Sequence, residues 1–215
     1  MRPVLLASAP RRAMASVAAL VILALVVVGF ALILGGSPRQ TPATSSLRAT
    51  PVCTMTVIEE SASYVRAYDT LRELRDASDL IVVGTAGQSS ALSAPGGGIV
   101  SDVTVRVEQI VAAKPEANAQ GGALQSGGRI VVEQQGGVLG CREMINSDDP
   151  LMRQGDHVIL FLHLIGPGEY YPLTGPEGRF IIDAQGIVHP ANPTFTVRVP
   201  HNLTVDQFLA EIAAV

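Results

Sequence analysis

Four histidines, two cysteines and 19 carboxylic acids are the side chains of this 215-residue chain best equipped for chemistry. His157 and His163 lie six residues apart. On one strand they would share a face about 20 Å apart, too far to hold one ion together. A site joining one of them to His189 is the remaining metal reading; strand-end or surface positions for these and for His201 are the simpler one. Cys53 and Cys141 are too few for a four-cysteine zinc site or an iron–sulfur cluster, and neither has a CxxC partner or a nearby His. An even count outside the cytoplasm favours one disulfide between them; two free thiols, or a reactive thiol or metal ligand, are the other readings.

The remaining motifs are incomplete. Asp148-Asp149 before Pro150 lacks the D-x-[DN]-x-[DN]-G loop that wraps calcium and reads as a solvated turn. Gly96-Gly97-Gly98 lacks the Lys and Ser/Thr of a phosphate loop and reads as a flexible turn. Ser89, Ser90 and Ser93 fall in an expected loop with no base nearby, and there is neither a G-x-S-x-G elbow nor an H-E-x-x-H pair. Asn202-Leu203-Thr204 fits a glycosylation acceptor in a host that uses one. Glu133, Glu143, Asp148, Asp149 and Glu169 are scattered acids. If folding brought two of them into one cleft, they would form a hydrolase site of the two-carboxylate kind. No catalytic residue, metal ligand or cofactor is assigned. The most distinctive surface candidate is the hairpin Gly175–Phe180 (GPEGRF) with Glu177 and Arg179: Arg179 can offer a fork of donors to an acidic partner, the alternative being a tight Pro-Gly turn with Phe180 in the core.

The elements that would position these residues are mostly strands. Thr70-Leu71-Arg72-Glu73 is a capping box, opening a short helix that ends near Ala77 and whose start can lie as early as Tyr64. Asp79–Gly84 (DLIVVG) is a near-continuous apolar strand, and Val103, Val105 and Val107 alternate with polar residues as in a half-buried strand. Ile130–Glu133, His157–Leu164, Tyr170–Leu173, Arg179–Asp183 and Thr194–Val199 complete the set. Thr204-Val205-Asp206-Gln207 is a second capping box, starting a C-terminal helix with Phe208, Leu209 and Ile212 on its packed face. Ala94–Gly98 and Ala112–Gly128 are poor in large apolar residues and read as mobile loops. Many short strands with Gly-rich turns favour a mainly β fold, a small OB-like closed or partly open barrel.

Ahead of this domain, residues 13–36 contain Ser16 as their one polar side chain. A helix of that length is about 36 Å long, enough to cross a hydrocarbon core of about 30 Å. The stretch is longer than a secretory h-region and Gly35-Gly36-Ser37-Pro38 is a poor cleavage site, so a retained signal anchor is expected; a cleaved leader is one alternative and a buried soluble helix, against which the lack of an amphipathic stripe argues, the other. Arg2, Arg11 and Arg12 precede it and favour a cytoplasmic tail over residues 1–12. Residues 37–51 (SPRQTPATSSLRATP) form a Ser/Thr/Pro-rich tether, and 52–215 the extracytoplasmic domain. The charge divides at the same place: +5 over residues 1–51 and −9 over 52–215. A domain at −9 repels phosphate backbones, which argues against nucleic acid as a partner.

The order ASDLIVVG, SDVTVRVEQI, GDHVILFL, YYPLTGPEGRF and GIVHP, over about residues 70–190, resembles a group of bacterial exported or membrane-anchored proteins without an assigned activity. The layout is also similar to the netrin-like module of metalloproteinase inhibitors, an OB-type barrel. In that family the free N-terminal cysteine chelates the target's zinc; Cys53 follows a 52-residue leader, so this chemistry is not implied here. The expectation is a single-pass plasma-membrane protein, anchored in the lipid bilayer by residues 13–36 and presenting a non-enzymatic binding module to an envelope protein or saccharide. The alternative is an envelope-associated hydrolase using the loop carboxylates.

Overall fold

The strand expected at DLIVVG is longer than its apolar run. In the computed structural model, which describes residues 53–61, 68–120, 124–194, 197 and 199–214, β2 covers Leu80–Ser93 and turns through a 3-10 segment, Pro95–Gly97, into β3, Ile99–Ala113. Residues 13–36 and the tether lie outside the described residues. Ser89, Ser90 and Ser93 therefore stand in a strand, paired with Val103, Asp102 and Ile99, and not in a loop. Pairing within the long hairpin outweighs their weak strand propensity.

β3 pairs with β4 (Arg129–Gln135), and β2 pairs with β7 (His157–Gly166) over Leu80–Thr85. β8 (Glu169–Pro172) bonds to β4 in parallel and to β7 in antiparallel fashion. The pairings β2–β3–β4–β8–β7 thus return to β2, while β9 (Arg179–Ile182) and β10 (Val188–Pro190) continue outward from β7. The fold is mainly β.

Alternation along these strands separates two cores. On one sheet face Leu80, Val82, Val103, Val105, Ile130, Val132, Leu160 and Tyr170 pack together. On the other, Ile81, Val83, Ile159, Phe161 and Phe180 are covered by α1 (Leu71–Ala77) and α3 (Val205–Ala214) through Leu74, Phe208 and Ile212. Both helices begin at the expected caps: Thr70 Oγ1 accepts from the Glu73 N–H at 3.2 Å, and Thr204 Oγ1 from the Gln207 N–H at 3.4 Å. α1 does not start earlier: residues 68–70 are not helical and Thr70 is extended (φ −133°, ψ 153°), so a helix running unbroken from Tyr64 is excluded, while Tyr64 itself lies outside the described residues.

A second, small sheet was not legible as strands. β1 (Thr56–Glu60) pairs in parallel with β6 (Arg142–Asn146), which pairs with β5 (Gly137–Leu139). The disulfide Cys53–Cys141, with Cα atoms 5.7 Å apart, joins the segment preceding β1 to the turn before β6. Two glycines are required by close approach. A Cβ on Gly84 would lie 2.6 Å from the Arg106 carbonyl oxygen, at a register shift of β2 against β3. A Cβ on Gly178 would lie 2.7 Å from the backbone of Leu173 and 2.8 Å from the Phe161 carbonyl oxygen.

Ala94–Gly98, read as a loop, is the turn of the β2–β3 hairpin. Two further expectations are corrected. Ala112–Gly128 is not one loop: β3 runs to Ala113, and α2 (Pro115–Gln120) follows with Pro at its first position. Ala117 is fully buried in the first core, and its carbonyl accepts from the Tyr170 hydroxyl at 3.5 Å. Small size lets the helix approach the sheet there, which a search for large apolar residues overlooks. Of the strand expected over Thr194–Val199, residues 194, 197 and 199 are described and none is in a strand; Val188–Pro190 takes the edge beside β9 instead. Replacing residues 114–128 by a short turn should uncover Tyr170 and the core beneath it. The expected loss is about 2 kcal/mol, or roughly 4–8 °C of melting temperature for a domain of this size. A circular-dichroism melt that did not move would show α2 to be dispensable.

Candidate functional site

The hairpin singled out for the surface is buried. Gly175–Gly178 forms a 3-10 turn leading into β9, with Glu177 7% and Arg179 4% exposed. Glu177 accepts from the Tyr68 N–H at 3.1 Å and from the Thr174 hydroxyl at 2.7 Å. Arg179 donates to Asp149 Oδ1 and to the Pro150 carbonyl, each at 2.6 Å. The Arg179 fork is thus turned inward, and Asp149, expected in a solvated turn, is its partner. Gln134 completes the link: its Nε2 lies 3.5 Å from Asp149 Oδ1, and its Oε1 accepts from the Met152 N–H at 2.9 Å. Burial pushes the Asp149 carboxyl above its ordinary range, against the opposing pull of Arg179 and Gln134.

Beside this buried network opens a cleft of about 480 Å³. Its walls come from the β2–β3 turn (Ala94, Pro95, Gly98), the end of β4 (Glu133, Gln134, Gln135), Glu60 of β1, Met144 of β6 and the end of β8 (Tyr171, Pro172) with Thr174. Among the described residues no Lys, Arg or His lines it. Glu60 Oε2 accepts from Gln135 Nε2 at 2.8 Å. Tyr171 is 38% exposed and meets the His163 ring edge-on at a centroid distance of 5.1 Å.

The cleft continues onto a sheet face that neither α1 nor α3 covers. Inward-pointing Val103, Val105, Ile130, Val132 and Tyr170 send their neighbours in sequence outward. Asp102 stands opposite Glu133, and Val131 opposite Glu169. Glu133 is half-buried, and burial, Asp102 and Glu169 together raise its carboxyl above the ordinary value. The fold therefore brings together two of the five scattered acids, Glu133 and Glu169. It leaves Glu143 on the small sheet opposite Val57 and Val138, and Asp148 at a bend where its carbonyl accepts from Asn192. Asp102 also belongs to this face, as the Val103–Val107 alternation in the sequence implies. Tyr171 and Glu60 carried no local signal.

The histidines are surface or strand-end residues, three of them set against acids. His157 Nε2 is 2.9 Å from Glu108, His163 Nδ1 is 2.6 Å from Asp79, and His189 Nε2 is 2.8 Å from Asp183. His201 lies in an exposed turn. Burial alone would raise Asp79, but the Leu164 N–H, Lys114 and His163 hold it below its usual value. The Thr85 hydroxyl lowers Glu108, and His189 lowers Asp183. Among the described residues no three His, Cys, Asp or Glu side chains are placed to hold a metal ion, and no helix is long and apolar enough to cross a membrane.

No protein-family model matches the chain, and no curated protein matches it in sequence.

Proposed function

We propose that this is a single-pass membrane protein, anchored through residues 13–36 with its N-terminus in the cytoplasm, whose domain from residue 52 is a non-enzymatic binding module outside the cytoplasm. The module is an OB-like barrel with an envelope protein or saccharide as its partner. The closed cycle of pairings, with its parallel β4–β8 step, supports the barrel. The disulfide supports an oxidising compartment. The observation that carries the reading is the contrast between the sheet's two outer sides: α1 and α3 cover β2, β7 and β9, while the face of β3, β4 and β8 stays open and runs into the cleft. Loops and an open face of such a barrel are where ligands dock.

The test is photo-crosslinking of the full-length protein in its own membranes, with the reactive residue placed at Val131 or at Glu211 on the exposed side of α3. A discrete adduct from position 131 and none from 211 is the expected pattern. Equal labelling at both, or none, would refute the reading. One observation favours the hydrolase alternative: Glu133, its carboxyl raised by burial and by Asp102, shares a sheet face with Glu169, a pairing of the two-carboxylate kind. Turnover of a glycoside by the wild type that is lost in Glu133→Gln would establish it.

A further inference from the structure

Resting on that reading, we infer that the cleft between the β2–β3 turn, β4 and β8 receives a basic side chain, arginine or lysine, from a partner protein. The cleft has the size of a small-ligand site, and its polar groups are all acceptors or neutral. Glu60 and Glu133 contribute carboxylates, Gln135 a carboxamide and Thr174 a hydroxyl. Arg179 is held against Asp149 at 2.6 Å, and Arg142 donates to the Gly97 carbonyl at 2.8 Å on the β2–β3 turn without lining the cleft. Among the described residues the Glu133 carboxylate accepts no hydrogen bond and forms no ion pair, while Asp102 faces it across β3–β4 and Glu169 stands one pleat away on β8.

The walls decide what kind of cation fits. Ile99, Pro95, Met144 and Pro172 supply an apolar lining suited to the methylene stem of Arg or Lys. Tyr171 offers a partly exposed ring at the rim, against which a guanidinium can lie. A hydrated inorganic ion uses neither the apolar wall nor the ring. A protein partner presenting one basic residue on an extended segment uses both, and the −9 charge of residues 52–215 draws it in.

The experiment uses the full-length protein in non-ionic detergent and the peptide Gly-Arg-Gly-Arg-Gly-amide, labelled with fluorescein at its N-terminal amine and read by anisotropy. A charge-reversed glutamate peptide and chitotetraose serve as competitors. The arginine peptide should bind, and more weakly as salt rises. Glu133→Gln should weaken it at least tenfold and Tyr171→Leu several-fold. Glu211→Gln, which removes the same charge from exposed α3, should leave it unchanged, and neither competitor should displace the peptide. Glu133→Gln relieves a like-charge contact, so an unaltered circular-dichroism spectrum is expected and separates lost binding from lost folding.

No binding of the arginine peptide, equal weakening by Glu133→Gln and Glu211→Gln, or displacement by chitotetraose would each overturn the inference. If the adduct from position 131 persists in those cases, the binding module stands and only its ligand class is wrong. If that adduct is absent as well, the reading of the module itself has failed.

Discussion

Arg179→Met should cost about 3–5 kcal/mol of stability, because it leaves the Asp149 carboxylate buried without its cation. The two side chains are 4% and 5% exposed and 2.6 Å apart. Asp149 would retain the Gln134 amide at 3.5 Å, and the Pro150 carbonyl would lose its donor as well. A double variant, Arg179→Met with Asp149→Leu, removes both charges and should recover most of the loss, since a buried ion pair and an apolar pair of similar volume are often close in energy. Thermal unfolding followed by circular dichroism reads both. A single variant that melts with the wild type would mean that water reaches the pair. A double variant as unstable as the single would mean that the pair also holds the bend at 147–149 in place.

Cys53→Ser with Cys141→Ser should lower stability by a similar amount through a different route. The bridge closes a loop with a sequence separation of 88 residues. In the chain-entropy model, opening such a loop costs about 4–5 kcal/mol by freeing the unfolded chain. The folded state changes too, since β1 is joined to the rest of the fold through β6 and the bridge, and its first residue bonds to the Cys141 carbonyl at 2.8 Å. Hydrogen exchange should therefore be fastest at Thr56–Glu60 in the double variant, ahead of β6. Intact mass after alkylation without reductant should show no thiol in the wild type. Thiol uptake there, or protection of β1 equal in both proteins, would count against this account.

The two predictions depend on residues that differed greatly in legibility. The Cys pairing followed from an even count and a compartment, and the bond is present. The GPEGRF motif points to Arg179, but its guanidinium faces Asp149 inside the fold and not an outside partner. GPEGRF does make a tight turn with Phe180 in the core, 1% exposed, as the bland alternative had it. Alternation along β9 would send Arg179 to the face opposite Phe180, and on that face Asp149, 30 residues earlier, waits under cover. Nothing within the motif marks that cover. The same holds for Ala117, whose burial depends on Tyr170 lying 53 residues away.

Capping boxes at Thr70 and Thr204, the inward valines of β3 and the apolar runs of β2 and β7 are written in neighbouring residues, because helix caps and strand pleats are short-range physics. They were enough for a mainly β domain with two packed helices. Which sheet face stays open, which acids share it, and which arginine is taken out of water depended on pairings such as Asp102 with Glu133 and β4 with β8. These contacts form only when distant segments close a loop. Their energy resides in burial and charge proximity that no local run of residues encodes.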